Sequence, residues 1–260
     1  MQKYIKWSKW SVILISLIGL VYLQGCTRSP PKITADAENT FAGGSDATIT
    51  QRELQAITSD KISRVRKALS HYSSMKVVRH KTPGFAKVTV ADFIIGSAAG
   101  AGVGIGGSSG YRMVKTLAAG EKLVEKYNLP DYGVLLLKKF VKRASVQLPG
   151  WPMMIAVSNP VGEDYTDTGP FMELHLHEPV FKTFGILSSA GLETRVIIKI
   201  NRADGSTIFR GTAHYMSKYY DRDRKWKDFE ADNGRAMREE IDFAADAVAR
   251  QIVELFKEAR

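Results

Sequence analysis

The sequence predicts an α+β fold: a two-layer sandwich in which helices cover one face of a mostly antiparallel sheet. Three observations carry that expectation. Residues 233–257 place Met237, Ile241, Ala244, Val248, Ile252 and Leu255 at three- and four-residue steps, which lays one apolar stripe along a helix. Just before it, two β-rich runs at 193–201 and 206–215 flank Arg202-Ala-Asp-Gly205. An Asp-Gly step between such runs marks a hairpin, because glycine supplies the positive φ that the turn needs. The chain is also long enough, at 260 residues, to bury a core of its own.

Taken in order, the N-terminus reads as an export signal. Lys3, Lys6 and Lys9 form a positive start with no acidic residue, and an apolar stretch follows over 10–23, broken only by Ser11, Ser16 and Gly19. A bilayer span needs ~20 apolar residues, so this stretch is short for one and suits the hydrophobic part of a signal peptide. It ends in Leu23-Gln24-Gly25-Cys26, which resembles the bacterial lipobox, with Gln24 standing where that motif has a small residue. The resemblance implies that the Cys26 thiol receives a diacylglycerol, that the chain is cut before it, and that the new amine is acylated. Cys26 is the sole cysteine, so no disulfide can form within the chain. The alternative is an uncleaved anchor helix with an incidental thiol. With each buried methylene contributing about 0.8 kcal/mol, two or three acyl chains would hold the protein on a membrane.

The expected organisation is therefore a lipoprotein signal peptide over 1–25, a flexible tether over 26–50, and an α+β periplasmic domain over 51–260. The tether holds Pro30-Pro31, Gly43-Gly44 and many Ser, Thr, Asp and Asn residues, too little apolar surface to offset its ordering entropy. Residues 51–71 read as a helix, with Thr50 and Glu53 spaced as a capping box and Leu54, Ile57, Ile62, Val65 and Leu69 as its stripe. Strands follow at 75–78 and 85–93. The segment 94–110 is uncharged and has glycine at Gly96, Gly100, Gly102, Gly104, Gly106, Gly107 and Gly110. Helices are expected at 111–127 and 131–148, the second with Lys138, Lys139, Lys142 and Arg143 as a basic surface. Strands are expected at 153–157 and 171–177, a charged loop at 219–227, and Asp232 or Asn233 as the cap of the final helix.

Several patterns suggest chemistry, each beside a plainer reading. Gly102-x-Gly104-x-x-Gly107 follows a strand and precedes a helix, as a dinucleotide fingerprint does. In so glycine-rich a segment that spacing arises by chance, and no acid follows at the right distance. The 96/100/104 and 102/106/110 spacings instead fit a packing face of small residues, in a membrane or against a like segment; the plain reading is a loop. His175, His177 and Glu173 share one face of a strand. The favoured reading is its solvent side, with Leu174 and Leu176 inward. Glu163, Asp164 and Asp167 resemble a loose calcium loop and more simply solvate a turn. No nucleophile elbow, Ser-His-Asp set or phosphate-binding loop is found, so the chain is read as no enzyme, with no metal and no cofactor.

From about residue 171 onward the order of strand (FMELHLH), strand (LETRVIIKINR), turn, strand (STIFRGTAHY) and helix (DNGRAMREEI to IVELF) resembles exported bacterial lipoproteins. These include auxiliary lipoproteins of ABC-type transporters and curli secretion-channel lipoproteins. The resemblance implies an α/β sandwich acting as a periplasmic accessory or assembly component. Removing three signal lysines from the net charge of +10 leaves +7, which suits anionic lipid or an acidic partner and, in an exported protein, excludes nucleic acid. With Thr27 after the cysteine, the resemblance to bacterial lipoproteins implies outer-membrane sorting, facing the periplasm. The expected function is thus a membrane-anchored accessory lipoprotein that binds a protein or lipid partner. The alternative is an oligomeric or pore-forming lipoprotein whose 94–110 segment enters the membrane; a hydrolase without a recognisable motif ranks third.

Overall fold

In the computed structural model the described residues are 51–79, 84–88, 108–157, 169–184 and 189–257. The signal peptide, the lipobox residues Leu23, Gln24 and Gly25 with Cys26, the tether, Gly96 to Gly107, residues 89–93 and Glu163, Asp164 and Asp167 lie outside them. Within them the chain runs α1 (Gln51–Leu69), β1 (Ser74–Arg79), β2 (Ala86–Val88), α2 (Ser108–Tyr127), α3 (Tyr132–Gln147), β3 (Met153–Val157), β4 (Phe171–Leu176), β5 (Val180–Phe184), β6 (Ser189–Asn201), β7 (Thr207–Met216), β8 (Arg224–Lys225) and α4 (Trp226–Lys257). Gly110 sits in the first turn of α2. No helix among the described residues is long and apolar enough to cross a membrane.

The 13-residue β6 organises the sheet. Along one edge β4 and β5 lie end to end, antiparallel to it: Leu176 pairs with Val196 and Val180 with Glu193. Between them the His177 N–H donates to the Arg195 carbonyl at 2.9 Å. β1 and β2 repeat this arrangement one position outward, parallel to β4 and β5, and β3 pairs in parallel with β1. Along the other edge of β6 run β7 and then β8, both antiparallel. The sheet is accordingly mixed. Its antiparallel half is built by hairpins, and its parallel half by the connection from β1 to β3, which carries α2 and α3.

Period-two alternation separates the two faces. Across β4, β6 and β7 the register stacks Met172–Ile200–Phe209, Leu174–Ile198–Gly211 and Leu176–Val196–Ala213, all buried. This face belongs to the same core as α3 and α4, including Leu136, Phe140, Ile241, Val248 and Ile252. The predicted stripe of the last helix, Ala244 included, is buried throughout, as are Ala245 and Ala249 beside it. Ile62, Val65 and Leu69 bring α1 into this core. The second face carries Glu173, His175, Glu193, Arg195, Lys199, Arg210 and His214.

The β6–β7 hairpin forms where Asp204-Gly205 marks it. Gly205 has φ +81°, its N–H donates to the Arg202 carbonyl at 3.0 Å, and Asp204 accepts the Ser206 N–H at 2.8 Å. Gly120 permits a different contact: a Cβ there would lie 1.4 Å from the Phe85 carbonyl oxygen, so only glycine lets α2 rest on the chain leading into β2.

Three expectations need correction. Residues 180–184 form a strand that sequence reading left unassigned. The charged stretch 219–227 is folded: it spans the end of the 3₁₀ turn Ser217–Tyr220, β8 and the start of α4. Asp232 and Asn233 do not open the last helix as caps. Trp226–Lys257 is two helices meeting at Ala231 to Gly234, so the predicted helix begins just after that break, where Asp232 (φ 49°) and Asn233 (φ 54°) adopt left-handed backbone that these residue types tolerate better than most. Arg238 Nη1 fastens the bend, donating to the carbonyls of Asn233 and Tyr127, each at 2.7 Å.

Candidate functional site

The predicted basic surface on α3 is divided by its neighbour. Tyr132 to Gln147 turn one side toward α4, capped at the start by Asp131, which accepts the Val134 N–H at 3.0 Å. On that side Lys139 Nζ pairs with Asp242 at 2.9 Å, and Arg143 Nη2 donates to both carboxylate oxygens of Asp246 at 2.6 and 2.8 Å. Arg250 reaches the same Asp246 at 3.0 Å. Lys139 and Arg143 therefore tie two helices together, and of the four predicted basic residues Lys138 and Lys142 stand exposed.

The histidine pattern also separates. Glu173 and His175 share the second sheet face, with His175 Nε2 at 3.1 Å from Glu173 Oε2, while His177 lies exposed beyond the end of β4. Leu174 and Leu176 point into the core as expected. Among the described residues no group of three His, Cys, Asp or Glu side chains is placed to hold a metal ion. Further along this face Glu193 is shared by His214, at 3.0 Å, and by the Lys182 ammonium. The His214 hydrogen bond leads in holding the Glu193 carboxyl down to about 2, with Lys182 adding to it against the opposing cost of burial.

One buried charge lies outside every sequence motif. Glu240 of α4 has no exposed surface and accepts a hydrogen bond from the Tyr215 hydroxyl. Arg222 Nε donates to its other oxygen at 2.8 Å. Ser217 Oγ lies 2.6 Å from Glu240 Oε1 and 3.1 Å from the Leu192 carbonyl, and accepts the Leu192 N–H at 2.7 Å. Burial first, and then the Glu240 charge, raise the Tyr215 hydroxyl's pKa, so it stays a donor. The cluster locks the 3₁₀ turn after β7 onto α4. Sequence carried a trace of it: Glu240 falls within the apolar stripe, between Met237 and Ile241.

The described residues also form two concave regions. A cavity of about 200 Å³ is lined by Gly84, Phe85, Val124, Leu129, Pro130 and Tyr132, with the Asp131–Arg79 ion pair (3.2 Å) beside it. Behind it the Tyr132 and Thr194 hydroxyls are buried neighbours, and neither makes a hydrogen bond of normal geometry among the described residues. The second is an open groove of about 510 Å³ between α1 and the start of β7. Four cations line it: Lys61 and Arg64 from α1, Arg202 from the hairpin, and Arg210 from β7. Val65, Ala68, Ile208 and Phe209 form its apolar floor. Sequence reading missed this groove, because its two halves lie about 140 residues apart.

No protein-family model, curated protein or solved structure matches the chain.

Proposed function

We propose that this protein is a non-catalytic envelope lipoprotein, exported, lipidated on Cys26 and held at a membrane, most directly the outer membrane facing the periplasm. There it serves as an accessory or assembly factor that binds a protein or lipid partner. The observation that carries the reading is the position of the sole cysteine, directly after a basic, then apolar, leader ending in Leu23-Gln24-Gly25. The segment 27–50 after it is poor in large apolar residues, and the chain's net basic charge suits an anionic surface. Feeding cells a clickable fatty acid tests this: the wild type becomes labelled and partitions with membranes, and Cys26→Ser does neither. A Cys26→Ser protein that still labels and stays membrane-bound sinks the reading.

A second reading, an oligomeric or pore-forming lipoprotein, is favoured by the Gly96/Gly100/Gly104 and Gly102/Gly106/Gly110 spacings. Light scattering after size exclusion discriminates the two. An oligomer that collapses when 94–107 is deleted supports it, and a monomer unchanged by the deletion counts against it.

A further inference from the structure

We infer that the outer edge of β3 is a docking site for an extended, apolar and uncharged segment of a partner protein, which adds to the sheet as a further strand. The inference rests on the accessory-factor reading above and deepens it by naming how a protein partner binds. Among the described residues β3 pairs only with β1, so it is an outer strand of the sheet. The Met153 N–H donates to the Ser73 carbonyl, on the β1 side, at 3.0 Å. Main-chain groups alternate between the two sides of a strand. Those of Met153, Ile155 and Val157 therefore face β1, and those of Met154 and Ala156 face outward.

The side chains set this edge apart from the others. Four large apolar side chains are exposed among the described residues, and two of them, Met153 at 63 % and Ile155 at 43 %, belong to this one strand. Ala156 is exposed beside them. An unpaired edge recruits other chains, and proteins guard against this with charge, proline or a bulge. The other outer strands follow that rule: β2 carries Lys87, β7 carries Arg210, and β8 is Arg224 with Lys225. β3 reads Met-Met-Ile-Ala-Val and has no charge, no proline and no glycine.

Length and chemistry select the occupant. A stable protein–protein interface engages about 20–30 residues a side, and the 5 residues of β3 fall far short of that. An added peptide strand needs only a short ladder: its main-chain hydrogen bonds give affinity, and alternate side chains give specificity. The outward N–H and C=O groups of Met154 and Ala156 supply the ladder. Met153 and Ile155 share one side of the strand, so they match apolar residues at alternate positions of the partner. A charge set against them would lose water without gaining a counter-charge on β3. The competing occupant is β3 of a second copy of the chain.

The test presents a phage-displayed library of random short peptides to the full chain held in phosphatidylcholine nanodiscs. Enriched peptides are then synthesised, labelled and titrated by fluorescence polarisation. They are expected to be uncharged, with Val, Ile, Leu or Phe at alternate positions. On binding, the amides of Met154 and Ala156 should exchange with solvent several-fold more slowly, while that of Ile155, turned toward β1, stays unchanged. Ala156→Pro removes an outward N–H, which an outer strand tolerates, and should weaken binding several-fold. Met153→Lys with Ile155→Lys charges the edge, leaves the main chain intact and should do the same. Unchanged amide exchange in α4 shows that each variant is folded, so one decides if the other is not. Val146→Ser, at an exposed apolar residue of α3, should leave binding unchanged. An equal loss in Val146→Ser overturns the inference, because the surface is then merely sticky, and so does a library that yields no enriched peptide. A wild-type dimer that Ala156→Pro dissociates overturns it in favour of a second copy. Failure of the lipoprotein reading shows separately, as an N-terminus that is uncut and free of lipid in the same preparation.

Discussion

Removing the Glu240 carboxylate should be the most damaging polar substitution in the domain. Its side chain is fully buried and meets Tyr215, Ser217 and Arg222 at once. Glu240→Ala leaves the Tyr215 hydroxyl without its acceptor, Ser217 with only the Leu192 carbonyl, and a guanidinium, one quarter exposed, without its counter-charge. Breaking a buried pair on one side costs about 3–5 kcal/mol, a large share of the 5–15 kcal/mol that typically holds a domain together. The partial exposure of Arg222 places the value toward the lower end. Glu240→Gln keeps the shape but presents an amide where donors converge, so about 2 kcal/mol is expected. Arg222→Met added to Glu240→Met should recover part of the loss, because the orphaned cation leaves with its partner. Urea unfolding followed by far-ultraviolet circular dichroism measures all of these. A Glu240→Ala protein within about 1 kcal/mol of wild type would refute the reasoning, since even one orphaned buried polar group costs more.

Gly120→Ala should cost about 3 kcal/mol or more by urea unfolding, because the added methyl meets backbone that cannot rotate away. Arg143→Ala should cost about 1–2 kcal/mol, and a double-mutant cycle with Asp246→Asn should return a coupling of about 1 kcal/mol that assigns the loss to this half-buried bidentate pair. Glu193 predicts a pH dependence. Its carboxyl is held at about 2 against an ordinary value of 4.5, so its stabilisation is complete above about pH 4.5 and is lost as pH falls toward 2. Discounted for partial exposure, that is about 1–2 kcal/mol; thermal melts across this range should fall for wild type and be flatter for Glu193→Gln.

What was legible in the sequence was local and periodic. The stripe from Met237 to Leu255 and the Asp204-Gly205 turn each specify their element within a few residues, so both appear where the pattern places them. β5 escaped notice because it is only five residues long and follows directly on Pro179, a residue that reads as an interruption, although here it precedes a strand whose partner is β6. The basic face of α3 was legible as a face and not as a surface: nothing near Lys139 and Arg143 announces that Asp242 and Asp246, roughly a hundred residues on, pair with them. The groove is hidden for the same reason. Lys61 and Arg64 look like the solvated side of a helix until tertiary packing sets Arg202 and Arg210 beside them. Glu240 is the instructive exception, since a lone acid on an apolar stripe is a local signal of a buried network.

The central claim is that Cys26 becomes the lipid-bearing first residue. Mass spectrometry of the N-terminal peptide from the protein purified out of membranes tests it in one measurement. The account predicts a peptide that begins at Cys26, lacks residues 1–25 and carries the added mass of a diacylglycerol, with or without a further acyl chain. A peptide that retains the leader and contains Cys26 as an unmodified thiol would contradict it.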